Sequence, residues 1–434
     1  MKGGAGRSPG RIHKGGRDAL GEKPKKFPEK YENISYFSRP LSSRILETVK
    51  AGGEAFPRRN SGVASTPQVH TNWRKEHMKK LVSFVLAGAL ALSLAACGST
   101  PSSTPASTPA SEPASASAPA SEPAEQFETV DLRVAYMPNM GSNSLLATAI
   151  NMGYFEEMGL NVTLTEFQGG PQEIAAMASG DIDISQIGHG AHALCIEGQA
   201  KIFHLDCTSL ADAVVANTEK GINSIADLKG KTIAVSSGTS AEIILNLALA
   251  SAGLTQDDVT LVEMDANGMV SAMVSGGVDA CATWSPSTLT IANALGDKAL
   301  TLATNNDYVD QVTFPSSFIT TEEFANANHD VLVRFSRALL KAQDYRAANI
   351  EEVAKWVAKQ CKADEQTMLD CVGEGNWLTG EFIAQGLKDG TVKNYYQNQQ
   401  KVFIDAGRIT EEVPVEDYIL FDVMQEAVDA TYGA

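Results

Sequence analysis

Four short segments of this chain gather glycine with small hydroxyl- or amide-bearing residues. They are MPNMGSNS at 137–144, QGGP at 168–171, GHGA at 188–191 and SSGTS at 236–240. Glycine lets a backbone approach a ligand closely, and Ser, Thr and Asn add donors and acceptors. SSGTS opens a predicted long helix, whose first N–H groups are free and carry a partial positive charge suited to an anionic group. Trp284, in the run Trp284-Ser285-Pro286, is a candidate cavity wall that stacks on a ligand. Each feature also has an ordinary structural reading. Thr239-x-x-Glu242 is a capping box, Gly169-Gly170-Pro171 a tight turn and Trp284 a core residue. Their recurrence at successive predicted strand ends favours a binding site.

Other chemistries find less support. His189 and His192 stand at i and i+3, which places them on one helix face, and His204 and Cys207 follow. No HExxH or CxxC accompanies them, so no metal site and no cofactor are expected. GxSxG, Walker A and GxGxxG motifs are absent, and no Ser/His/Asp or paired-carboxylate arrangement supplies a nucleophile or an acid/base pair. The sequence therefore points to a binding protein rather than an enzyme.

The elements that position these segments alternate. Strands are predicted at 132–136, 161–167, 182–187, 202–205, 232–235, 259–262 and 280–283. Helices are predicted at 144–155, 171–179, 191–197, 224–228, 239–252, 269–274 and 287–295. This alternation indicates α/β units with largely parallel pairing, in which ligands sit outside the carboxyl ends of the strands. From Asp330 onward the pattern is nearly all helical.

The first 125 residues read differently. Residues 1–77 are basic and rich in Gly, Pro and Ser, and are expected to be a disordered upstream extension from a misassigned start. Met78-Lys79-Lys80, the apolar stretch Leu81 to Leu94 and the ending Leu94-Ala95-Ala96-Cys97 lay out a signal peptide over 78–96. The apolar stretch falls short of the ~20 residues of a membrane span. Cys97 is the expected lipidation site, and the Ser/Thr/Pro/Ala-rich stretch to residue 125 a tether. Of 35 basic and 52 acidic residues, 18 and 7 precede Cys97, so the chain from Cys97 carries 17 against 45, a net −28. Such a body does not bind nucleic acid, which demands Lys and Arg. Five further cysteines remain, with no CxxC; Cys361 and Cys371 are the closest pair in sequence, and buried free thiols are the favoured state.

Several runs carry a family resemblance. GYFEEMGL at 153–160, ASGDIDI at 178–184, IADLKGKTIAV at 225–235 followed by the Gly-Thr-Ser turn, GVDA at 277–280 and WSP at 284–286 resemble, in order and spacing, motifs of the sulfonate/nitrate/taurine-type substrate-binding proteins of ABC importers. That group also includes binders of thiamine precursors, riboflavin and aromatic acids. The resemblance covers about Val130 to Asn349. It implies a type II periplasmic-binding-protein fold: two α/β lobes joined by two crossovers and closing like a hinge, with a helical C-terminal region. Lobe 2 is expected at 217–309 and lobe 1 at 126–216 and 310–434. By position, Ser142, Asn143, Gly169, Gly170, Gly190, Gly238, Thr239, Ser240 and Trp284 should face the cleft. His189 is available to stack on a ring or donate to it.

The resemblance further implies a monomer moored outside the cell through its Cys97 lipid. It would pass a small ligand to a membrane permease driven by a separate ATPase. The expected ligand is a sulfonate or related oxyanion, held by neutral donors and helix dipoles because the turns offer no Arg or Lys. A thiamine pyrimidine precursor or riboflavin is the alternative ligand, and a thiamine-precursor biosynthetic enzyme the more distant one. One departure stands out: Ser285 occupies a position where the family usually has an acid. That removes a natural partner for an ammonium group and argues against taurine.

Overall fold

The computed structural model describes residues 127–433. The extension 1–77, the signal peptide 78–96, Cys97 and the tether to 125 lie outside the described residues. Eleven strands form two sheets in the described chain: β1 (Val130–Tyr136), β2 (Leu160–Glu166), β3 (Ile184–Ile187), β4 (Lys201–Ser209), β5 (Asp212–Asn217), β6 (Thr232–Val235), β7 (Thr260–Glu263), β8 (Ala280–Trp284), β9 (Ala299–Thr304), β10 (Pro315–Thr320) and β11 (Gly375–Asn376). The first sheet runs β11-β4-β10-β3-β1-β2 and the second β7-β6-β8-β5-β9. These are the two lobes.

Both sheets are buried on two faces. In β1, Leu132 and Val134 pack with Leu145, Phe203 and Phe335, while Ala135 joins the opposite layer with Ile174, Ile187 and Leu205. This is the two-residue alternation of a strand. In the second sheet, Val214 and Ile233 lie in the cluster that holds the Ser240–Ser251 helix. Val215, Ala234 and Cys281 face Met269, Met273 and Ile291 on the other side.

Pairing departs from the parallel expectation. β2-β1-β3 and β7-β6-β8 are parallel. β10 is antiparallel to both β3 and β4, β11 to β4, and β5 to both β8 and β9. For β5 and β10 the cause is the double crossover: each has just left the other lobe and enters its new sheet against the direction of the βα units. β9 is antiparallel to β5 because β5 is itself reversed. β5, β9, β10 and β11 are also the strands the sequence reading passed over.

The first crossover falls at Leu210-Ala211, between β4 and β5, so lobe 2 begins at Asp212 rather than at 217. The return passes between β9 and β10, and the expected boundary at 309–310 lies inside that connection. From His329 the described chain is helical except for β11 and a short 3-10 turn at Val415–Asp417. Its long helix His329–Ala348 buries Arg346, which pairs with Asp206 at 2.6 Å beneath the first sheet. Cys195, Cys207, Cys281, Cys361 and Cys371 are free thiols; Cys361 accepts from Asn143 and Cys371 donates to the Thr367 carbonyl.

Candidate functional site

The carboxyl ends of the parallel strands in both sheets face one cavity. After β1, Asn139 caps the Met140–Asn151 helix by accepting from the Ser142 N–H at 2.8 Å. The Ser142 hydroxyl in turn accepts from the Met137 N–H at 2.9 Å. The helix thus starts four residues earlier than the sequence reading had it, because Asn139 offers the cap. Ser142 lies in its first turn, at the cavity wall. Asn143, one residue on, is rotated away; its side-chain amide donates to Cys361 Sγ at 3.2 Å, and it does not line the cavity. A 100° step per helical residue separates the two.

After β2, Gly170 opens the Gly170–Ala178 helix and lines the cavity, and Pro171 fits the first turn. Gly169 lies just outside, where an added Cβ would sit 3.7 Å from Thr239 Cγ2 across the lobes. After β3, Gly188 and His189 line the cavity, while Gly190 sits behind them. A Cβ on Gly190 would stand 2.1 Å from the Thr239 carbonyl carbon and 2.3 Å from the Ser240 nitrogen. Only a residue without a side chain permits this approach, which presses lobe 1 directly on the backbone of lobe 2. The rim adds polar contacts between lobes: Asn267 donates to Gln168 at 3.2 Å, and Arg408 pairs with Glu242.

In lobe 2, Thr239 and Ser240 line the cavity at the head of the Ser240–Ser251 helix, and Trp284 lines it from the end of β8. Gly238 takes φ +76, a left-handed conformation that glycine accepts; it packs near Pro171 and Arg408 and does not line the cavity. The Thr239-Glu242 capping box does not form. Thr239 Oγ1 donates to the Ser236 carbonyl, and the Glu242 carboxylate accepts from the Gly238 N–H.

The sequence reading missed Asp212. It is the first residue of β5, paired across the ladder with Trp284, and it is buried in the cavity wall. Its carboxylate accepts from the Ser240 hydroxyl and from Asn305 Nδ2 at 3.1 Å, and its N–H donates to Asn305 Oδ1 at 2.7 Å. Burial raises its pKa to about 6, so it is mostly charged at pH 7. An acid opening the apolar run Ala213 to Ala216 was the available signal. It went unread because β5 was not recognised as a strand.

A second carboxylate lies behind the Trp-Ser-Pro run. Glu374, from the C-terminal region, accepts from the Ser285 hydroxyl at 2.6 Å, and burial raises it to about 7. Neither residue lines the cavity.

His189 is 1% exposed, and neither ring nitrogen has a hydrogen-bond partner. Nε2 stands 3.8 Å from Asp212 Oδ2, the ring packs against Phe314, and burial lowers its pKa to about 3. Gln399, on the Thr391–Asp405 helix, fixes the turn by donating to the His189 carbonyl at 2.9 Å and meeting His192 Nδ1 at 2.9 Å. His204 lies edge-on to Phe318, within the first sheet. Ser240, Asp212 and His189 are neighbours, but the serine donates to the acid, not to the imidazole. The Ser–His–Asp order of a catalytic triad is therefore not formed here.

The cavity encloses about 510 Å³ of empty space, part of it open to solvent. No Arg or Lys lines it; Asp212 and His189 are its titratable groups.

A putative binding protein of Brucella abortus is 33% identical over 295 residues, which span 68% of this chain and 92% of the relative. The NMT1/THI5-like family matches residues 143–353. The chain belongs to the NMT1/THI5-like family. Relatives of this NMT1/THI5-like chain include a putative aliphatic sulfonates-binding protein of Bacillus subtilis, 31% identical over 46% of the chain and 60% of the relative. The taurine-binding periplasmic protein of Escherichia coli is 26% identical over 58% of the chain and 76% of the relative. The alkanesulfonate-binding protein SsuA from Xanthomonas axonopodis pv. citri superposes with a TM-score of 0.55 at 22% identity, covering 68% of this chain and 99% of that one. The shared architecture is the periplasmic-binding-protein fold.

Proposed function

We propose that this NMT1/THI5-like protein is the extracytoplasmic solute-binding component of an ABC importer, moored by a lipid on Cys97, and that it captures a small organosulfonate or related oxyanion. The observation that carries the proposal is the cavity between the lobes, lined by residues from the first turns of the helices Met140–Asn151, Gly170–Ala178 and Ser240–Ser251. Helix starts present unpaired N–H groups and a partial positive charge, which hold a sulfonate without Arg or Lys. Relatives named for aliphatic sulfonates and taurine support the same class. The role is capture and delivery to a permease, with no chemical step.

A thermal-shift screen over alkanesulfonates, taurine, nitrate, pyrimidine precursors and riboflavin tests the proposal. Binding to the folded state raises Tm in proportion to RT ln(1 + [L]/Kd). A shift with one or more sulfonates is expected. A shift with pyrimidines or riboflavin alone overturns the ligand class.

A further inference from the structure

Three side chains of the C-terminal region brace the cavity walls without lining the cavity. Glu374 accepts from the Ser285 hydroxyl of lobe 2, Gln399 donates to the His189 carbonyl of lobe 1, and Arg408 pairs with Glu242 of lobe 2. All three lie beyond residues 143–353, the span that the NMT1/THI5-like family matches. Gln399 and Arg408 belong to one stretch. Just past the Thr391–Asp405 helix the chain turns at Gly407, φ +68, and the Arg408 N–H donates back to the Phe403 carbonyl at 2.8 Å. Phe403 is buried in the core. The guanidinium therefore projects from an anchored helix end. Opposite it, Glu242 stands in the first turn of the Ser240–Ser251 helix, and its carboxylate also accepts from the Gly238 N–H at 2.8 Å. One carboxylate thus ties the turn carrying Thr239 and Ser240 both to its own helix and, through Arg408, to lobe 1. Lobe 1 also closes over that turn directly: a Cβ on Gly238 would lie 3.1 Å from Pro171 Cγ and 3.5 Å from Arg408 Nη2.

We propose that Arg408 is a positioning residue for ligand capture: through Glu242 it clasps the Gly238–Ser240 turn of lobe 2 to lobe 1, and so sets how fast a bound ligand leaves without touching that ligand. This rests on the binding-protein reading and adds a residue to it. The two halves of the pair belong to different lobes, so parting the lobes separates the charges. The attraction therefore stabilises the closed form alone. An enclosed ligand leaves after opening, so the clasp slows release and leaves entry unchanged. Its side chains are 24% and 13% exposed, which leaves the pair within reach of salt screening. Glu374 is placed differently. Its carbonyl accepts from the N–H of Leu210, at the crossover itself, so its bond to Ser285 lies at the hinge.

The test is stopped-flow release of ethanesulfonate from the full chain, followed by the fluorescence of Trp284 in the cavity wall. Arg408→Gln is expected to release it about fivefold faster, the upper end for an ion pair short of full burial. Association should stay within about twofold and the ligand-free Tm unchanged. Glu242→Gln keeps an oxygen for the Gly238 N–H and should match it, and the double variant should add nothing further. In 1 M salt the wild type should approach the variants. Wild-type release in Arg408→Gln, or effects of the two variants that simply add, overturns the clasp and leaves the organosulfonate reading standing. A lowered ligand-free Tm with unchanged release also overturns it, since Arg408 then serves the fold alone. Should the wild type not bind ethanesulfonate, the organosulfonate reading falls by itself. The clasp is then decided without ligand, by whether a short bismaleimide bridges the lobes in the Glu242→Cys/Arg408→Cys variant; no bridge overturns it.

Discussion

Replacing Gly190 with alanine places a methyl group between the lobes. Its carbon would stand 2.1 Å from the Thr239 carbonyl carbon, 2.2 Å from that carbonyl oxygen and 2.3 Å from the Ser240 nitrogen. All three are backbone atoms at the head of a helix, so no side chain can swing aside. Restoring ordinary contact requires the lobes to part by more than about 1 Å, and overpacking of this kind costs about 1–3 kcal/mol. The cost falls on the closed form alone, because the contact joins Gly190 of lobe 1 to lobe 2. A closed state disfavoured by that amount is populated roughly 5- to 150-fold less, and the apparent Kd rises by the same factor. Calorimetry with the ligand found in the screen measures this rise. Thermal unfolding of the ligand-free protein should shift by only a few degrees, since each lobe keeps its own core. Wild-type affinity in Gly190→Ala would refute the reasoning, as would loss of folding in the ligand-free variant.

Trp284→Ala should weaken ligand binding at least tenfold while the protein stays folded with a lower Tm, because Trp284 both lines the cavity and joins the core of lobe 2; unchanged affinity by calorimetry would reject it as a cavity wall. The ligand-free protein should lose stability as pH rises from 6.5 to 8. Burial raises Glu173 to about 8 and Glu374 to about 7, so the fold keeps protons that the unfolded carboxyls release near pH 4. Their contribution is therefore lost as pH climbs, by about 1.4 kcal/mol per unit for each group still protonated. His189, His192 and His204, lowered by burial to about 3, act in the opposite sense only below about 6.5, outside this window. A Tm that falls across pH 6.5–8 in the wild type and less steeply in Glu173→Gln is the expected outcome; a flat wild-type profile would contradict it. Cys97→Ser should release the protein from the membrane fraction, and continued sedimentation with membranes would dismiss Cys97 as the anchor.

Much of this site was legible because helix starts leave plain marks. Pro171 beside two glycines, and Thr239-Ser240 after Gly238, announced helices opening at strand ends, and the structure brings those ends together. Asn143 was not separable from Ser142 in sequence; only the position of the Asn139 cap decides which of the two faces the cavity. Asp212 carried a faint mark, an acid opening an apolar run, but its place in the site was not legible. It reaches the cavity through a crossover, and short-range periodicity says nothing about where a chain goes after it leaves a sheet. The antiparallel partners β5 and β10 were lost with it. Gln399, which supports the His189 turn from far along the chain, carries no local mark of that role.

The placement of β10 bears on how this chain comes to be folded at all. β3 and β4 are successive strands, yet they never touch; β10 lies between them, and it arrives only after the whole of lobe 2 has been made. Until then the larger sheet has a gap at its centre and its halves cannot join. Folding dominated by such distant pairings is slow, so closure of the larger sheet falls late, after the smaller sheet has its strands in place.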